Sequence, residues 1–358
     1  MKKVIIVCNT YYQLIVAMQM KLTIKSDEYV HAVISDVSKN AYAVYEKVKS
    51  VGLFDEVSFL KTPSSKHKKI KFLDSLKFIK MGVFGDTMDA VDGKSYYDEF
   101  LGFNLDLSSH YIYATLKKNN PKMESNQLEE GIISYKSVAG WCGVLSVVYK
   151  IRKLLKRKNL REEAKSFYCF NPDVYKGEKQ AVLIPKISNN SELKKLVSEI
   201  FLGGEKVVPY KEKYIYLPCI YDIEGGEPIG ELKLAKKIAE TVGKENLMVK
   251  VHPRDDADKY RAIGLNVDTN SSVPWEAIQI NGDFSDKVFL TSLSGSILNI
   301  NCILDSHPKS FYLYKMCSLE NNALALHFRG VINSFLEMQE VTEAADITVA
   351  NGLKEILN

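Results

Sequence analysis

Apolar residues fall along this chain in short runs, each followed by a turn signal and then by helix-spaced apolar positions. The first run, Val4 to Cys8, is continuous, as in a strand buried on both faces of a parallel sheet. Asn9-Thr10 ends it and supplies a helix cap, and Tyr12 to Met20 has helical spacing. Val30 to Ser35 predicts a second strand. A helix capped by Asp36 or Ser38 follows, running through Tyr45 and Val48, and Val57 to Leu60 predicts a third strand. Ser64 to Lys80 predicts an exposed basic helix, and Tyr96 to Leu101 and His110 to Ala114 predict short strands. Val147 to Lys165 predicts a basic amphipathic helix with Ile151, Leu154 and Leu155 on its apolar face.

Between Asn171 and Lys213 the pattern weakens, and Pro172, Pro185 and Pro209 interrupt it. The alternation then resumes. Tyr214 to Leu217, Leu247 to Val251, Val288 to Thr291 and Phe311 to Tyr314 predict strands. Leu232 to Val242, Pro274 to Ile280 and Ser296 to Ile303 predict helices. Two rounds of strand–helix alternation predict two doubly wound α/β domains, residues 1–185 and 186–358. Two such Rossmann-like domains facing each other across a cleft form the GT-B architecture of many glycosyltransferases.

Composition narrows this picture without redirecting it. The 358 residues are 46% hydrophobic and 26% charged, the balance of a soluble globular chain long enough for two cores. A net charge of +4 gives no reason to expect nucleic acid as the main partner. No apolar run reaches membrane-spanning length, and the run after Met1-Lys2-Lys3 is too short for a signal peptide, so a cytoplasmic protein is expected. None of the six cysteines forms a Cys-x-x-Cys pair, and the six histidines lack zinc-site spacing. Buried thiols are therefore expected, with no metal and no cofactor. Fourteen lysines and arginines crowd Lys66 to Lys80 and Lys150 to Lys165. Solvated helix faces account for them, and attraction to anionic lipid is the alternative.

His252-Pro253 carries the most chemistry. Proline stops the strand Leu247 to Val251 and leaves a histidine at its carboxyl end, where open α/β sheets bind ligands. An imidazole there can protonate a leaving group near neutral pH. Alternation puts Lys250 on the same side of the strand, as a cation for a ribose or phosphate. His307-Pro308 serves as an internal control, because it precedes its strand and should lie at the opposite end of the sheet. In Glu129-Glu130-Gly131, adjacent carboxylates point to opposite sides, so one can face a ligand as general base while glycine lets the chain turn. Thr291 to Ser296 joins a strand to a helix start, so Ser294, Gly295 and Ser296 can cap the helix or hold an anion. Pro274-Trp275-Glu276 is a helix start whose acid could also accept hydrogen bonds from ribose hydroxyls.

In order along the chain, Glu-Glu-Gly, Lys-x-His-Pro, Pro-x-Glu and a serine motif resemble bacterial sialyltransferases of glycosyltransferase family 52 and the bacterial polysialyltransferases. The opening Cys8-Asn9-Thr10-Tyr11-Tyr12-Gln13-Leu14 is similar to that group's first strand–helix turn. The resemblance implies a GT-B fold and a CMP-sialic acid donor. It also implies a glycan acceptor in capsule or lipooligosaccharide synthesis, where acceptors are lipid-linked, without metal. It implies Glu129 as the base, with Asp222 in reserve, and His252 at the departing phosphate. Lys250 and Glu276 would hold the ribose, with Pro253 beside them, and Ser294, Gly295 and Ser296 the phosphate. Thr10, Gln13, Glu130 and Gly131 would lie near the acceptor or donor sugar. One departure is that Gly295 separates two serines that are adjacent in the group. Two other readings fit the same residues: a GT-B transferase using another nucleotide sugar, and a nonenzymatic nucleotide-sugar or polyanion binder. Peripheral contact with the inner face of the cell membrane is the second expected location. The sequence carries no signal for oligomeric state.

Overall fold

The computed structural model describes residues 1–62, 72–85, 90–92, 94–103, 107–135, 143–187, 191–207, 210–252, 254–269, 273–304, 307–337 and 346–357. Pro253, Cys142 and the start of the basic helix expected from Ser64 lie outside them. The chain divides into two compact units. The first comprises Met1–Glu130, Ser137–Pro185 and Ser191–Gly204; the second comprises Gly131–Lys136, Lys186–Asn190 and Glu205–Asn358.

The first unit carries strands β1 (Lys3–Cys8), β2 (Tyr29–Ser35), β3 (Glu56–Leu60), β4 (Glu99–Gly102), β5 (Glu124–Leu128), β6 (Ser166–Cys169) and β7 (Gln180–Leu183). Its helices are α1 (Tyr11–Leu22), α2 (Ala41–Val51), α3 (Phe72–Phe84), α4 (Leu107–Asn119), α5 (Gly143–Leu154), α6 (Leu160–Glu163) and α7 (Ser191–Val197). The strands form one parallel sheet in the order β3-β2-β1-β4-β5-β6-β7. β1 lies at its centre, and Val4 to Cys8 are all buried, as a strand covered on both faces requires. Thr10 caps α1 by accepting the Gln13 N–H at 3.2 Å. Ile5, Val7 and Phe100 of the sheet pack against Tyr111, Tyr113 and Leu116 of α4.

The second unit carries β8 (Tyr214–Leu217), β9 (Leu247–Lys250), β10 (Asn266–Asp268), β11 (Val288–Thr291), β12 (Lys309–Tyr312) and β13 (Ile347–Val349). Its helices are α8 (Glu231–Val242), α9 (Asp258–Arg261), α10 (Trp275–Asn281), α11 (Ser296–Leu304) and α12 (Ala323–Leu336). This sheet is also parallel, in the order β10-β9-β8-β11-β12-β13. In each sheet the order reverses beside the first strand, between β1 and β4 and between β8 and β11. Ligand-binding crevices form at such reversals, outside the carboxyl ends of the strands. Among the described residues no helix is long and apolar enough to cross a membrane.

Two expectations need correction. His110 to Ala114 is not a strand but the middle of α4. Ser108 to Leu116 are all buried, so the helix has no polar face to betray its period. The basic helix from Val147 does not reach Lys165. It ends at Leu154, the chain turns at Lys156 with φ 53°, and α6 starts anew behind an Asn159–Glu162 capping box. Leu154 is therefore 82% exposed rather than on a buried face. The segment 171–213, where the sequence pattern weakens, holds β7 and α7 of the first unit.

Candidate functional site

In the second unit, the ends of β9, β8 and β11 lie side by side. Thr291, the last residue of β11, donates its hydroxyl to the Leu217 carbonyl at the end of β8 at 2.6 Å, tying the two strand ends at the order reversal. The same Thr291 Oγ1 accepts the Ser294 N–H at 3.0 Å and so shapes the serine loop. Ser294 Oγ accepts the Ser296 N–H at 3.2 Å and donates to Ser296 Oγ at 3.0 Å, as a cap for α11. Tyr312 of β12 holds the Ser294 carbonyl at 2.9 Å. Gly295 has a steric reason to be glycine: a Cβ there would meet Ile132 Cγ1 at 3.0 Å. The interruption between the two serines thus makes room for a residue that follows the Glu-Glu-Gly motif. Gly131 turns with φ 59°, in the left-handed region that glycine favours, beside Asn299 of α11.

Beneath the loop lies a carboxyl group that the sequence did not single out. Glu231, at the start of α8, is fully buried. It accepts hydrogen bonds from the Ser292 hydroxyl, the Tyr216 hydroxyl and the Cys219 N–H, the last at 3.2 Å. Burial pushes its pKa up from an ordinary 4.5 to about 7, against the pull of Ser292 and Tyr216. An acid in a first helical turn normally faces solvent, so composition alone gave no signal for it. Asp222, the reserve base, accepts the Gly230 and Glu231 N–H groups at 2.9 and 3.0 Å and fixes the entry to α8.

His252 follows the end of β9 and is half-buried. Its Nδ1 accepts the Arg254 N–H at 3.1 Å, so in the neutral ring the proton sits on Nε2. His307 precedes β12 and therefore lies at the amino ends of the parallel strands, as its role as a control required. Lys250 pairs with Asp268 at 3.1 Å, directly across the β9–β10 register, and Asp268 also takes the Tyr210 hydroxyl. Asp268 went unseen because β10 is a three-residue strand with little apolar signal. Glu276 is in the first turn of α10, and burial pushes its pKa up. Beside it, Trp275 stacks on Tyr210 with ring centroids 6.4 Å apart, and its buried Nε1 has no hydrogen-bond partner among the described residues.

In the first unit, the two glutamates have different surroundings. Glu129 is 2% exposed, and its carboxylate accepts the Tyr12 hydroxyl at 2.6 Å and the Phe170 N–H at 2.9 Å. Glu130 is half-buried and takes the Thr10 hydroxyl at 3.0 and 3.1 Å. Gln13 accepts the Asn9 N–H at 2.6 Å, while its own buried Nε2 has no partner among the described residues. Thr10, Gln13 and Glu130 thus gather at the carboxyl end of β1, beside that sheet's order reversal.

No protein-family model matches this chain, and no curated protein matches it in sequence. Solved structures do resemble it. A Listeria monocytogenes protein described as a UDP-N-acetylglucosamine 2-epimerase aligns over 100% of this chain and 95% of its own, with a TM-score of 0.52 and 11% identity. The calicheamicin glycosyltransferase CalG4 aligns over 98% of this chain and 85% of its own, with a TM-score of 0.49 and 10% identity. MurG of Acinetobacter baumannii aligns over 99% and 89%, with a TM-score of 0.43 and 10% identity. At such identities the likeness speaks to fold alone. With the two parallel sheets, the fold is GT-B: two Rossmann-like α/β domains.

Proposed function

We propose that this chain is an inverting sialyltransferase that moves sialic acid from CMP-sialic acid to a glycan acceptor, lipid-linked, in bacterial capsule or lipooligosaccharide synthesis. The supporting observation is that His252 and the serine loop follow the carboxyl ends of β9 and β11, the two strands that flank β8 at the order reversal. In this reading the second domain takes CMP. The hydroxyls of Ser294 and Ser296, with the positive end of α11, receive the phosphate. Lys250 and Glu276 receive the ribose, beside Trp275.

The chemistry needs one proton removed and one delivered. A carboxylate takes the proton of the acceptor hydroxyl, whose oxygen attacks the anomeric carbon of sialic acid from the face opposite CMP. The bond from that carbon to the phosphate oxygen breaks with inversion, and His252 Nε2 supplies a proton to the departing phosphate. Of the adjacent glutamates, Glu130 is the better candidate for the base. Glu129 is enclosed and its oxygens take donors from within its own domain, whereas Glu130 is partly open and steadied by Thr10. Charge on the leaving group is met by protein dipoles and imidazolium, so the proposal includes no metal.

The donor assignment is tested by thermal shift with CMP, UDP and GDP. CMP should raise the melting temperature most, and stabilisation by UDP or GDP without CMP would assign another donor. Incubation with CMP-sialic acid and a glycan panel, read by mass spectrometry, then identifies the acceptor.

A further inference from the structure

The turn after α5 combines exposed leucines with a run of cations. α5 closes in a Schellman arrangement: the Arg157 N–H reaches the Arg152 carbonyl at 2.8 Å, and the Lys156 N–H reaches the Lys153 carbonyl at 3.0 Å. The left-handed position in this motif is usually glycine, and here it is Lys156 at φ 53°. The turn exposes two adjacent leucines, Leu154 at 82% and Leu155 at 46%, and continues into Lys156, Arg157 and Lys158, all exposed. From Gly143 to Lys158 there is no acidic residue.

The turn is latched to the end of α3. Arg152, itself 5% exposed, donates to the Lys158 carbonyl at 2.6 Å and to the Val83 carbonyl at 2.9 Å. Arg157 lies over the Phe84 ring, 5.3 Å from its centroid, and Phe84 is 45% exposed. Close helix packing completes the latch: a Cβ on Gly82 of α3 would meet Val148 of α5 at 2.8 Å. Beside the turn, a pocket of about 320 Å³ is lined by Lys117, Lys118, Arg152, Arg157, Lys158 and Glu163. Glu163 pairs with Lys117 at 2.8 Å, so cations predominate around the opening.

We propose that this surface docks on an anionic lipid bilayer, with Leu154, Leu155 and Phe84 at the headgroup–acyl boundary and Lys153, Lys156, Arg157 and Lys158 on the lipid phosphates. Charge complementarity selects an anionic partner. The adjacent exposed leucines select a bilayer over a nucleic acid, because a phosphate backbone offers them nothing to enter. Arg and Lys stems can lie along the apolar boundary while their charges stay at the headgroups. The inference names the surface by which a lipid-linked acceptor would be approached, but it stands apart from the donor chemistry, since docking is measured without turnover.

The test is sedimentation of the full chain with phosphatidylcholine vesicles, with and without phosphatidylglycerol. Binding should require phosphatidylglycerol and weaken with salt. Lys153→Gln with Lys156→Gln should lower the partition coefficient roughly tenfold or more. Leu154→Asn with Leu155→Asn should lower it comparably, with the melting temperature unchanged because both side chains are exposed. Failure to bind either vesicle, or equal binding to both, would overturn the proposal. So would tighter binding to double-stranded DNA or RNA that the leucine variant leaves intact, which would assign the surface to a polyanion.

Discussion

The hydroxyl of Ser292 donates to the buried carboxyl of Glu231. The loop after β11 is thereby fastened to the start of α8, and Glu231 joins it to the end of β8 through Tyr216 and Cys219. The loop proposed to receive the phosphate therefore rests on a group that titrates near neutrality.

Glu231 gives the first prediction. Its folded pKa of about 7 lies above the ordinary 4.5, so between those values the folded state holds more protons than the unfolded one. The stabilisation is complete below the unfolded value and is lost as pH rises through the folded one. Glu231→Gln mimics the protonated acid. Wild type should lose melting temperature relative to this variant from about pH 5 to about pH 8. A constant offset across that range would mean that the group does not titrate there.

The second prediction separates the adjacent glutamates. Glu130→Gln and His252→Ala should each lower turnover by about 10²-fold or more. The histidine variant should still bind CMP, which a nonenzymatic binder would have no reason to distinguish from wild type in any turnover assay. Glu129→Gln leaves Tyr12 and the Phe170 N–H competing for one carbonyl oxygen, and should cost about 1–3 kcal/mol of stability. Loss of turnover in a well-folded Glu129→Gln protein would return the role of base to Glu129. If neither glutamate matters, Asp222 becomes the candidate.

Gly295 supplies the third. Gly295→Ala would push Ile132 away by a few tenths of an ångström, and overpacking of this kind costs about 1–3 kcal/mol. CMP binding should weaken with it, because the serine loop must move. Ile132→Val in the same chain should recover part of both losses. Additive effects of the two substitutions would show that the contact is not the reason for glycine.

The fourth concerns Glu99, fully buried in β4 and paired with Lys2 at 2.7 Å and Lys25 at 2.8 Å. Burial alone would raise its pKa, but the two lysines outweigh that and hold it below the ordinary value. Its contribution is present above about pH 4.5 and is lost on further acidification. Glu99→Gln leaves buried Lys25 with Glu28, 3.1 Å away, as its remaining carboxylate, and should cost up to about 3–5 kcal/mol in urea unfolding at neutral pH. A much smaller loss would mean that Glu28 suffices for Lys25.

How much of this was legible in the sequence depended on whether burial and polarity agreed. β1, β8, β9 and β11 were legible because strands covered on both faces are continuous apolar runs. β5 was not: it reads Glu-Ser-Asn-Gln-Leu, yet Ser125, Asn126 and Gln127 are buried. Asn126 donates to Glu99 at 2.7 Å and accepts the Ser166 N–H at 3.0 Å, so its polarity is satisfied by distant partners that no local pattern reveals. At the candidate site, His252 and the serine loop were legible because a turn signal followed an apolar run. Glu231 and Asp268 were not, since their meaning comes from neighbours across the sheet. Leu154 and Leu155 had the right spacing for a core face, but the helix ends before it can bury them.

The division of the chain between the two units bears on how it is made. Residues 131–136 and 186–190 belong to the second unit but leave the ribosome well before the bulk of it, which starts at Glu205. Tyr135 must wait for Phe335, against which it packs with ring centroids 4.9 Å apart, and the Ile187 N–H must wait for the Ile303 carbonyl, 2.9 Å away. The first unit can close once Gly204 has emerged. A fragment begun at Glu205 would lack both strips, with no Ile132 to fill the space left by Gly295. Synthesis therefore imposes an order on the two halves, and the second unit cannot be obtained by a single cut.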